Sequence, residues 1–190
     1  MKKIIVIGCP GSGKSTFSRE LKKFYNIPLY HLDLIWNKPD KTTITREEFD
    51  NELSKIFNEE EWIIDGNYQR TLERRIKEAN TIFLLDYPLE VCINGATNRV
   101  GTKREDMPWV EDELNKEFKQ KILDFSKDKL PKIYELLNTY KENKNIIIFK
   151  SREDNQSHSN PFINQLSSLP PFCTPSVELD CRSQETEGRV

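Results

Sequence analysis

Residues 4–16 read IIVIGCPGSGKST, and this stretch decides the fold. An apolar run leads into a glycine-rich turn, and a lysine and two hydroxyl residues follow. Residues 8–15 match the pattern G-x-x-x-x-G-K-[ST], and Phe17, Leu21 and Phe24 then recur at helical spacing. The backbone N–H groups of such a loop, together with the positive end of the helix behind it, bind phosphate. The sequence therefore predicts a strand, a phosphate-binding loop and a helix, in that order.

The residue types in this loop suit a nucleoside triphosphate, and we predict ATP with Mg²⁺ as its ligand. Glycine lets the backbone turn tightly and approach an anion closely. Lys14 places a positive charge on the β- and γ-phosphates, Ser15 offers a hydroxyl to Mg²⁺, and Thr16 reaches the α-phosphate. The predicted nucleotide-binding residues of the loop are Gly8, Cys9, Pro10, Gly11, Ser12, Gly13, Lys14, Ser15 and Thr16.

The composition excludes several classes of protein. The chain has 190 residues, which suits one hydrophobic core, and its net charge of −2 gives no basic excess for nucleic-acid binding. No apolar run approaches the roughly 20 residues of a membrane span, and the apolar start is too short for a signal peptide. The four cysteines include no C-x-x-C pair. We expect a cytoplasmic protein, monomeric or dimeric, without a membrane segment.

Apolar runs alternate with helical patterns along the chain. This alternation predicts a parallel sheet covered on both faces by helices. Thr45 and Glu48 form a capping-box pattern at the start of one helix. The predicted strands are 3–8, 27–33, 61–66, 81–86 and 145–150, and the helical patterns cover 14–24, 45–57, 87–100, 110–125 and 130–140.

A magnesium-binding loop also needs a carboxylate at the end of a neighbouring strand. Asp65 follows the apolar run WII, and Asp86 follows IFLL. Either could instead cap the turn after its strand. We favour Asp65 as the magnesium carboxylate because the polar, glycine-containing stretch DGNYQRT begins with it, whereas Asp86 precedes a tyrosine and a proline that are typical of helix entry.

Several motifs in this order resemble the adenylate-kinase-like P-loop kinases. GCPGSGKST is followed by IIDGNYQRT, at residues 63–71, and later by an arginine- and lysine-rich segment. Within that group the chain is most similar to bacterial proteins called DNA topology modulation proteins, through PLYHLDLIW, EWIIDGNYQRTLERRI, TIFLLDYP and KREDMPW. The resemblance covers about residues 1–154, which we take as one kinase-like domain.

The resemblance implies an α/β P-loop NTPase three-layer sandwich, with a five-stranded parallel sheet in the order 2-3-1-4-5. It also implies ATP with Mg²⁺ and a small mobile lid at about 99–109. The lid residues Arg99, Lys103 and Arg104 would then contact the transferring phosphoryl group. The alternative is that these three residues belong to a solvated basic loop without a catalytic role. Arg152 would lie beside the adenine. Arg70 matches the family arginine that binds substrate phosphate or carboxylate.

The chain departs from the adenylate kinase pattern where the phosphate acceptor binds. Asn67-Tyr68-Gln69 replaces a Phe-Pro pair, and HLDLIW replaces the helix that carries an AMP-binding arginine. Asp33 could accept a proton from a substrate hydroxyl, or hold Mg²⁺ through water. Trp36 could stack on a ring or belong to the core. Tyr68, like Trp36, could stack on a ring or belong to the core. We expect His31 to form a hydrogen bond at a strand end, and we expect Arg74 and Arg75 to be surface charges.

These predictions together describe an ATP-dependent small-molecule kinase with Lys14, Asp33, Arg70, Arg99 and Arg104 as catalytic residues. The acceptor is an unidentified nucleoside, nucleotide or other hydroxyl- or phosphate-bearing molecule. A regulatory nucleotide-binding protein or an NTPase linked to DNA topology is the alternative. Residues 155–190 differ in composition, since lysine is absent from residue 151 onward, and we predict a disordered or non-native tail there.

Overall fold

A computed structural model describes residues 2–152, and within them five parallel strands form one sheet in the order β2-β3-β1-β4-β5. The predicted fold class and strand order are confirmed. The tail predicted at 155–190 lies outside the described residues. The strands are β1 (Lys3–Gly8), β2 (Leu29–His31), β3 (Trp62–Asp65), β4 (Thr81–Leu85) and β5 (Asn145–Phe149).

Helices cover both faces of this sheet. A π-helical turn at Phe125–Lys129 joins the sixth helix to the seventh, and a 3-10 turn at Lys141–Asn143 leads into β5. No helix within residues 2–152 is long and apolar enough to cross a membrane. The helices are α1 (Lys14–Tyr25), α2 (Leu32–Trp36), α3 (Arg46–Phe57), α4 (Gln69–Glu78), α5 (Leu89–Thr97), α6 (Lys116–Asp124) and α7 (Leu130–Tyr140).

The central strands form the core because helices cover them on both faces. Every residue of β3 and β4 is buried, and so are Ile4 to Gly8 of β1. Helix α1 packs onto the sheet through Phe17, whose ring meets Phe83 edge-on at a centroid distance of 5.0 Å and Phe149 at 5.6 Å. The helix that begins at the phosphate-binding loop is therefore fixed to β4 and β5.

The predicted capping box starts α3. The hydroxyl of Thr45 accepts a hydrogen bond from the backbone N–H of Glu48 at 3.1 Å, and the Glu48 carboxylate accepts one from the N–H of Thr45 at 2.7 Å. Two N–H groups that the helix leaves without partners are thereby satisfied.

Several predicted elements are shorter than the sequence pattern indicates, among them the helix predicted at 87–100, which runs only from Leu89 to Thr97. The strand predicted at 27–33 ends at His31, because Leu32 turns inward, is fully buried and starts α2. The helix predicted from residue 110 begins only at Lys116, where the side chain of Asn115 caps it. Val110 precedes that helix and is 37% exposed. Residues 98–115 therefore form an irregular segment between α5 and α6, which we call the lid segment.

Candidate active site

The phosphate-binding loop joins β1 to α1 and packs closely against α5. Gly11 has a φ of 84°, in the left-handed region that favours glycine. A Cβ atom on Gly11 would lie 2.0 Å from the carbonyl oxygen of Cys92, and a Cβ on Gly95 would lie 2.1 Å from the carbonyl oxygen of Gly11. The loop and α5 thus meet backbone to backbone, and α5 supports the loop from behind.

The two cysteine thiols near this contact are buried and structural. Cys9 and Cys92 are 5% and 0% exposed, and the Cys9 thiol lies 3.9 Å from the carbonyl oxygen of Ile122. A hydrogen bond with Cys92, followed by burial, raises the pKa of Cys9. Cys9 therefore stays a neutral thiol that packs the underside of the loop.

A cavity of about 460 Å³ opens above the loop, bounded by the loop, α5 and the lid segment. Lys14 lies in its wall and donates a hydrogen bond to the carbonyl oxygen of Cys9 at 3.0 Å. Within residues 2–152, the cationic side chains that line the cavity are Lys14, Arg19, Arg99, Lys103, Arg104 and Arg152, against the two acids Glu105 and Asp106. This excess of positive charge suits a polyphosphate.

The hydroxyl predicted to bind magnesium contacts a carboxylate of the lid segment. Oγ of Ser15 donates a hydrogen bond to Oδ2 of Asp106 at 2.7 Å. Burial opposes ionisation of Asp106, but the hydrogen bond from Ser15 and the charge of Arg104 outweigh it, so its pKa is lowered. The sequence reasoning did not single out Asp106, and the only signal for it was its place in the charged stretch KRED.

Asp65 lies at the end of β3, but it contacts β2 rather than Ser15. Its Oδ2 lies 2.9 Å from Nδ1 of His31, so His31 forms the expected hydrogen bond at a strand end. Asp65 is 5% exposed, and its Oδ1 has no hydrogen-bond partner among residues 2–152. Asp86, the other candidate carboxylate, accepts a hydrogen bond from Tyr134 at 2.6 Å and forms an ion pair with Lys150.

The lid segment holds its predicted arginines in ion pairs. Nη1 of Arg104 lies 2.8 Å from the Glu111 carboxylate, and Nε of Arg99 lies 3.2 Å from it. The guanidinium of Arg99 also lies 4.9 Å from the centre of the Phe118 ring. Burial and then the charge of Arg104 lower the pKa of Arg99. Both arginines line the cavity above the phosphate-binding loop together with Lys14.

A carboxylate and a group of aromatic rings lie at the ends of β2 and β3. The hydroxyl of Tyr68 donates a hydrogen bond to Oδ1 of Asp33 at 2.9 Å. Burial raises the pKa of Asp33, and the hydrogen bond from Tyr68 opposes this rise. The Tyr68 ring stacks on Phe49 at 5.0 Å and contacts Trp36 at 6.0 Å. Trp36 and Tyr68 therefore pack against the partly buried edge of the core.

Two of the arginines after DGNYQ differ in environment. Arg70, the predicted acceptor-binding residue, forms a two-pronged ion pair with Asp50 at 2.7 and 2.8 Å. The prediction that Arg75 is a surface charge is wrong, since Arg75 is 0% exposed. Its guanidinium donates to the carbonyl oxygens of Gly66 at 2.7 Å and Tyr68 at 3.0 Å, and burial lowers its pKa to about 9.

Asn67 ties the loop after β3 to the phosphate-binding loop. Its side-chain oxygen accepts a hydrogen bond from the backbone N–H of Gly8 at 3.0 Å, and its side-chain amide donates to the carbonyl oxygen of Gly8. Strands β1 and β3 pair up to Val6 and Asp65. The Asn67 amide thus adds one further pair of hydrogen bonds beyond the point where the two backbones separate.

The residues present fit a nucleoside triphosphate and a divalent cation. The cavity above the loop carries more positive than negative side chains, and the backbone of the loop approaches it without Cβ atoms at Gly11 and Gly13. A serine hydroxyl and carboxylate oxygens are the hard ligands that Mg²⁺ prefers, and one of these oxygens, the buried Oδ1 of Asp65, has no hydrogen-bond partner in the described part of the chain.

A parallel sheet in this order, with a glycine-rich loop after β1, is the arrangement of the P-loop NTPase fold. The solved structures similar to the chain include two shikimate kinases. That from Acinetobacter baumannii, in complex with shikimate, has a TM-score of 0.56 and 17% identity, covering 88% of this chain and 94% of that chain. That from Bacteroides thetaiotaomicron has a TM-score of 0.53 and 16% identity, covering 86% and 97%. The chain matches no protein-family model and no curated protein.

Proposed function

We propose that the protein is an ATP-dependent phosphotransferase that moves the γ-phosphate of ATP to a small acceptor bearing a hydroxyl or phosphate group. The observation that carries this proposal is the shared cavity: the loop lysine Lys14 and the lid arginines Arg99 and Arg104 line the same space of about 460 Å³. Cations on several sides of one phosphate site suit phosphoryl transfer, in which negative charge spreads over several oxygens. Closure of the lid segment over that site would exclude water, which favours transfer to an acceptor over hydrolysis.

The predicted residues of the phosphate-binding loop and the lid segment have separate roles in this reaction. Lys14 binds the β- and γ-phosphates, while Arg99 and Arg104 stabilise the transferring group after exchanging Glu111 for phosphate oxygens. Mg²⁺, held by Ser15 with Asp65 in support, would supply positive charge at the β- and γ-phosphates. Three further loop and lid residues complete the nucleotide site: Thr16 at the α-phosphate, Lys103 at the lid and Arg152 beside the base.

The acceptor would bind near the ends of β2 and β3. Asp33 takes the proton from the acceptor hydroxyl, and its raised pKa favours this role. Tyr68 orients the Asp33 carboxylate through the hydrogen bond of 2.9 Å between them. Arg70 would bind a phosphate or carboxylate of the acceptor only by exchanging it for Asp50.

A release assay for ADP tests the proposal across a panel of nucleosides, nucleotides, sugars and hydroxy acids. We expect ADP only when an acceptor is present, and loss of this activity in Lys14→Ala. Lys22→Ala removes the same charge from the far end of α1 and is the matched control. ADP release without any acceptor would instead indicate an NTPase. ATP binding without turnover, together with salt-sensitive retention of DNA, would favour a regulatory protein linked to DNA topology.

A further inference from the structure

The contact between Ser15 and Asp106 links two distant parts of the chain at the phosphate cavity. Ser15 lies in the first turn of α1, and Asp106 lies 91 positions later in the lid segment, with Oγ and Oδ2 2.7 Å apart. Two neighbouring ligands in an octahedral Mg²⁺ shell, each at about 2.1 Å from the ion, lie about 3.0 Å from each other. The two oxygens are therefore already separated by almost the distance that a shared ion requires.

The carboxylate of Asp106 is also fixed and charged. It is 7% exposed, and Nε and Nη2 of Arg104 donate to its two oxygens at 3.0 and 3.1 Å. Glu111 holds the same guanidinium from its other side at 2.8 Å. These contacts orient the carboxylate toward Ser15.

Asp65, by comparison, forms its hydrogen bond with His31, at 2.9 Å, whereas the Ser15 hydroxyl donates to Asp106. Asp65 would then support an ion on the Ser15 hydroxyl through water, since Mg²⁺ usually keeps part of its hydration shell. No cluster of three or more acidic, histidine or cysteine side chains suited to a metal occurs within residues 2–152. Phosphate oxygens and water would thus complete the shell, as is common for Mg²⁺ in kinases.

We propose that Asp106 is the carboxylate that binds the magnesium ion together with Ser15, so that the lid segment closes over ATP through the metal. This inference rests on the nucleotide binding in the proposed function, and it assigns the metal carboxylate to the lid segment rather than to a strand end. With Mg²⁺ bound, Oδ2 of Asp106 would contact the ion in place of the Ser15 hydroxyl proton, and Arg104 would hold the carboxylate in that position.

The test is the gain in nucleotide affinity that Mg²⁺ produces, measured by fluorescence titration with an N-methylanthraniloyl derivative of ATP, in EDTA and in Mg²⁺. In Asp106→Asn we expect the affinity in EDTA to stay equal or to rise, because a negative charge leaves the phosphate cavity. We expect the Mg²⁺-dependent gain to fall at least about tenfold, as for the loss of a metal-supporting group. Asp65→Asn should lose less of that gain.

The matched control is Glu105→Gln. Glu105 is the neighbouring residue, lines the same cavity, and has a side chain that is 81% exposed and 4.0 Å from Arg19. It loses the same charge without touching Ser15, so its Mg²⁺-dependent gain should equal that of the wild type. Asp106→Glu keeps a carboxylate and should retain part of the gain, which provides a second variant if Asp106→Asn does not fold in a thermal unfolding test.

Each outcome decides the assignment. If Asp106→Asn raises the nucleotide affinity equally in EDTA and in Mg²⁺, Asp106 only holds the lid segment in place through Ser15. That result would overturn the proposal. So would an equal loss of the Mg²⁺-dependent gain in Glu105→Gln, or a wild type whose affinity does not respond to Mg²⁺. A wild type that does not bind ATP refutes the proposed function together with this inference. Loss of the gain in Asp106→Asn alone, in a protein that turns over no acceptor, supports the inference and refutes only the phosphotransfer.

Discussion

The backbone contact between the phosphate-binding loop and α5 leads to a prediction about Gly95→Ala. Gly95 lies inside α5, where replacing glycine by alanine ordinarily stabilises a helix by about 0.8–1 kcal/mol. Here the added Cβ would lie 2.1 Å from the carbonyl oxygen of Gly11, far inside contact distance and against backbone rather than a flexible side chain. We therefore expect the substitution to destabilise the protein despite its helix propensity.

Substitutions at two further glycines separate the free-energy cost of steric overlap from the cost of backbone strain. Overpacking typically costs about 1–3 kcal/mol, and a backbone oxygen puts Gly95→Ala near the upper end, for a net loss of about 2 kcal/mol. Gly13 has a φ of 95° with nothing within 4 Å of a Cβ, so Gly13→Ala should cost only the left-handed strain of about 1–2 kcal/mol. Gly11→Ala combines strain with a 2.0 Å overlap and should lose about 4–5 kcal/mol, the sum of the two terms.

Urea unfolding of the three variants measures these free energies, and titration with the fluorescent ATP derivative measures the effect on the loop. We expect Gly95→Ala to weaken nucleotide binding, because α5 can relieve the overlap only by moving the loop. A Gly95→Ala variant about 1 kcal/mol more stable than the wild type, as helix propensity alone requires, would refute the close contact.

Three more predictions concern the acceptor side and α3. Because the pKa of Asp33 is raised, the acid limb of the pH profile of kcat/KM should lie above the ordinary aspartate pKa of 3.8, and activity should fall as the pH drops through that limb. Asp33→Asn should lower kcat by about 10²–10⁴-fold and remove the limb. An acid limb that is unchanged in Asp33→Asn contradicts this role. Asp50→Asn should release Arg70 and lower KM for anionic acceptors but not for neutral ones, while urea unfolding shifts by no more than about 1 kcal/mol, because the ion pair is exposed. Thr45→Ala should cost about 1 kcal/mol in urea unfolding, and adding Glu48→Ala should cost less than the sum of both single changes, since the two residues share one capping box; full additivity would contradict the reciprocal bonds.

The sequence predicted the phosphate-binding loop, the covered parallel sheet and the start of α3, because each depends on neighbouring residues. The motif at residues 8–15 runs from the last residue of β1 into the first turn of α1, as a strand–loop–helix motif requires. The order of the strands came from resemblance rather than from the residues themselves. Strand order depends on which chain segments meet across the sheet, and a local pattern does not contain that information.

The sequence reasoning missed two kinds of residue. One makes its contact with a residue far away in the sequence, and the other is a charged residue on the buried, mainly apolar face of a helix. Asp106 reaches Ser15 across 91 positions, from a segment with no regular period. Arg75 gave a usable signal, because it lies three residues after Leu72 and one before Ile76, on the buried face of α4. Its charge led to a surface assignment, although carbonyl oxygens at Gly66 and Tyr68 make its burial tolerable.

Asn67 has a consequence for how such a site can change during evolution. Because its amide imitates a peptide group opposite Gly8, the turn that follows β3 is registered to the turn that binds phosphate, and neither can shift by a residue without the other. Insertions and deletions should therefore be tolerated poorly at 66–68. The stretch 37–44 is a turn closed by the bridge between Asn37 and Thr43 and by hydrogen bonds between its own residues. These bonds do not tie it to the phosphate-binding loop, so it is the place where changes in length would adapt the protein to a different acceptor.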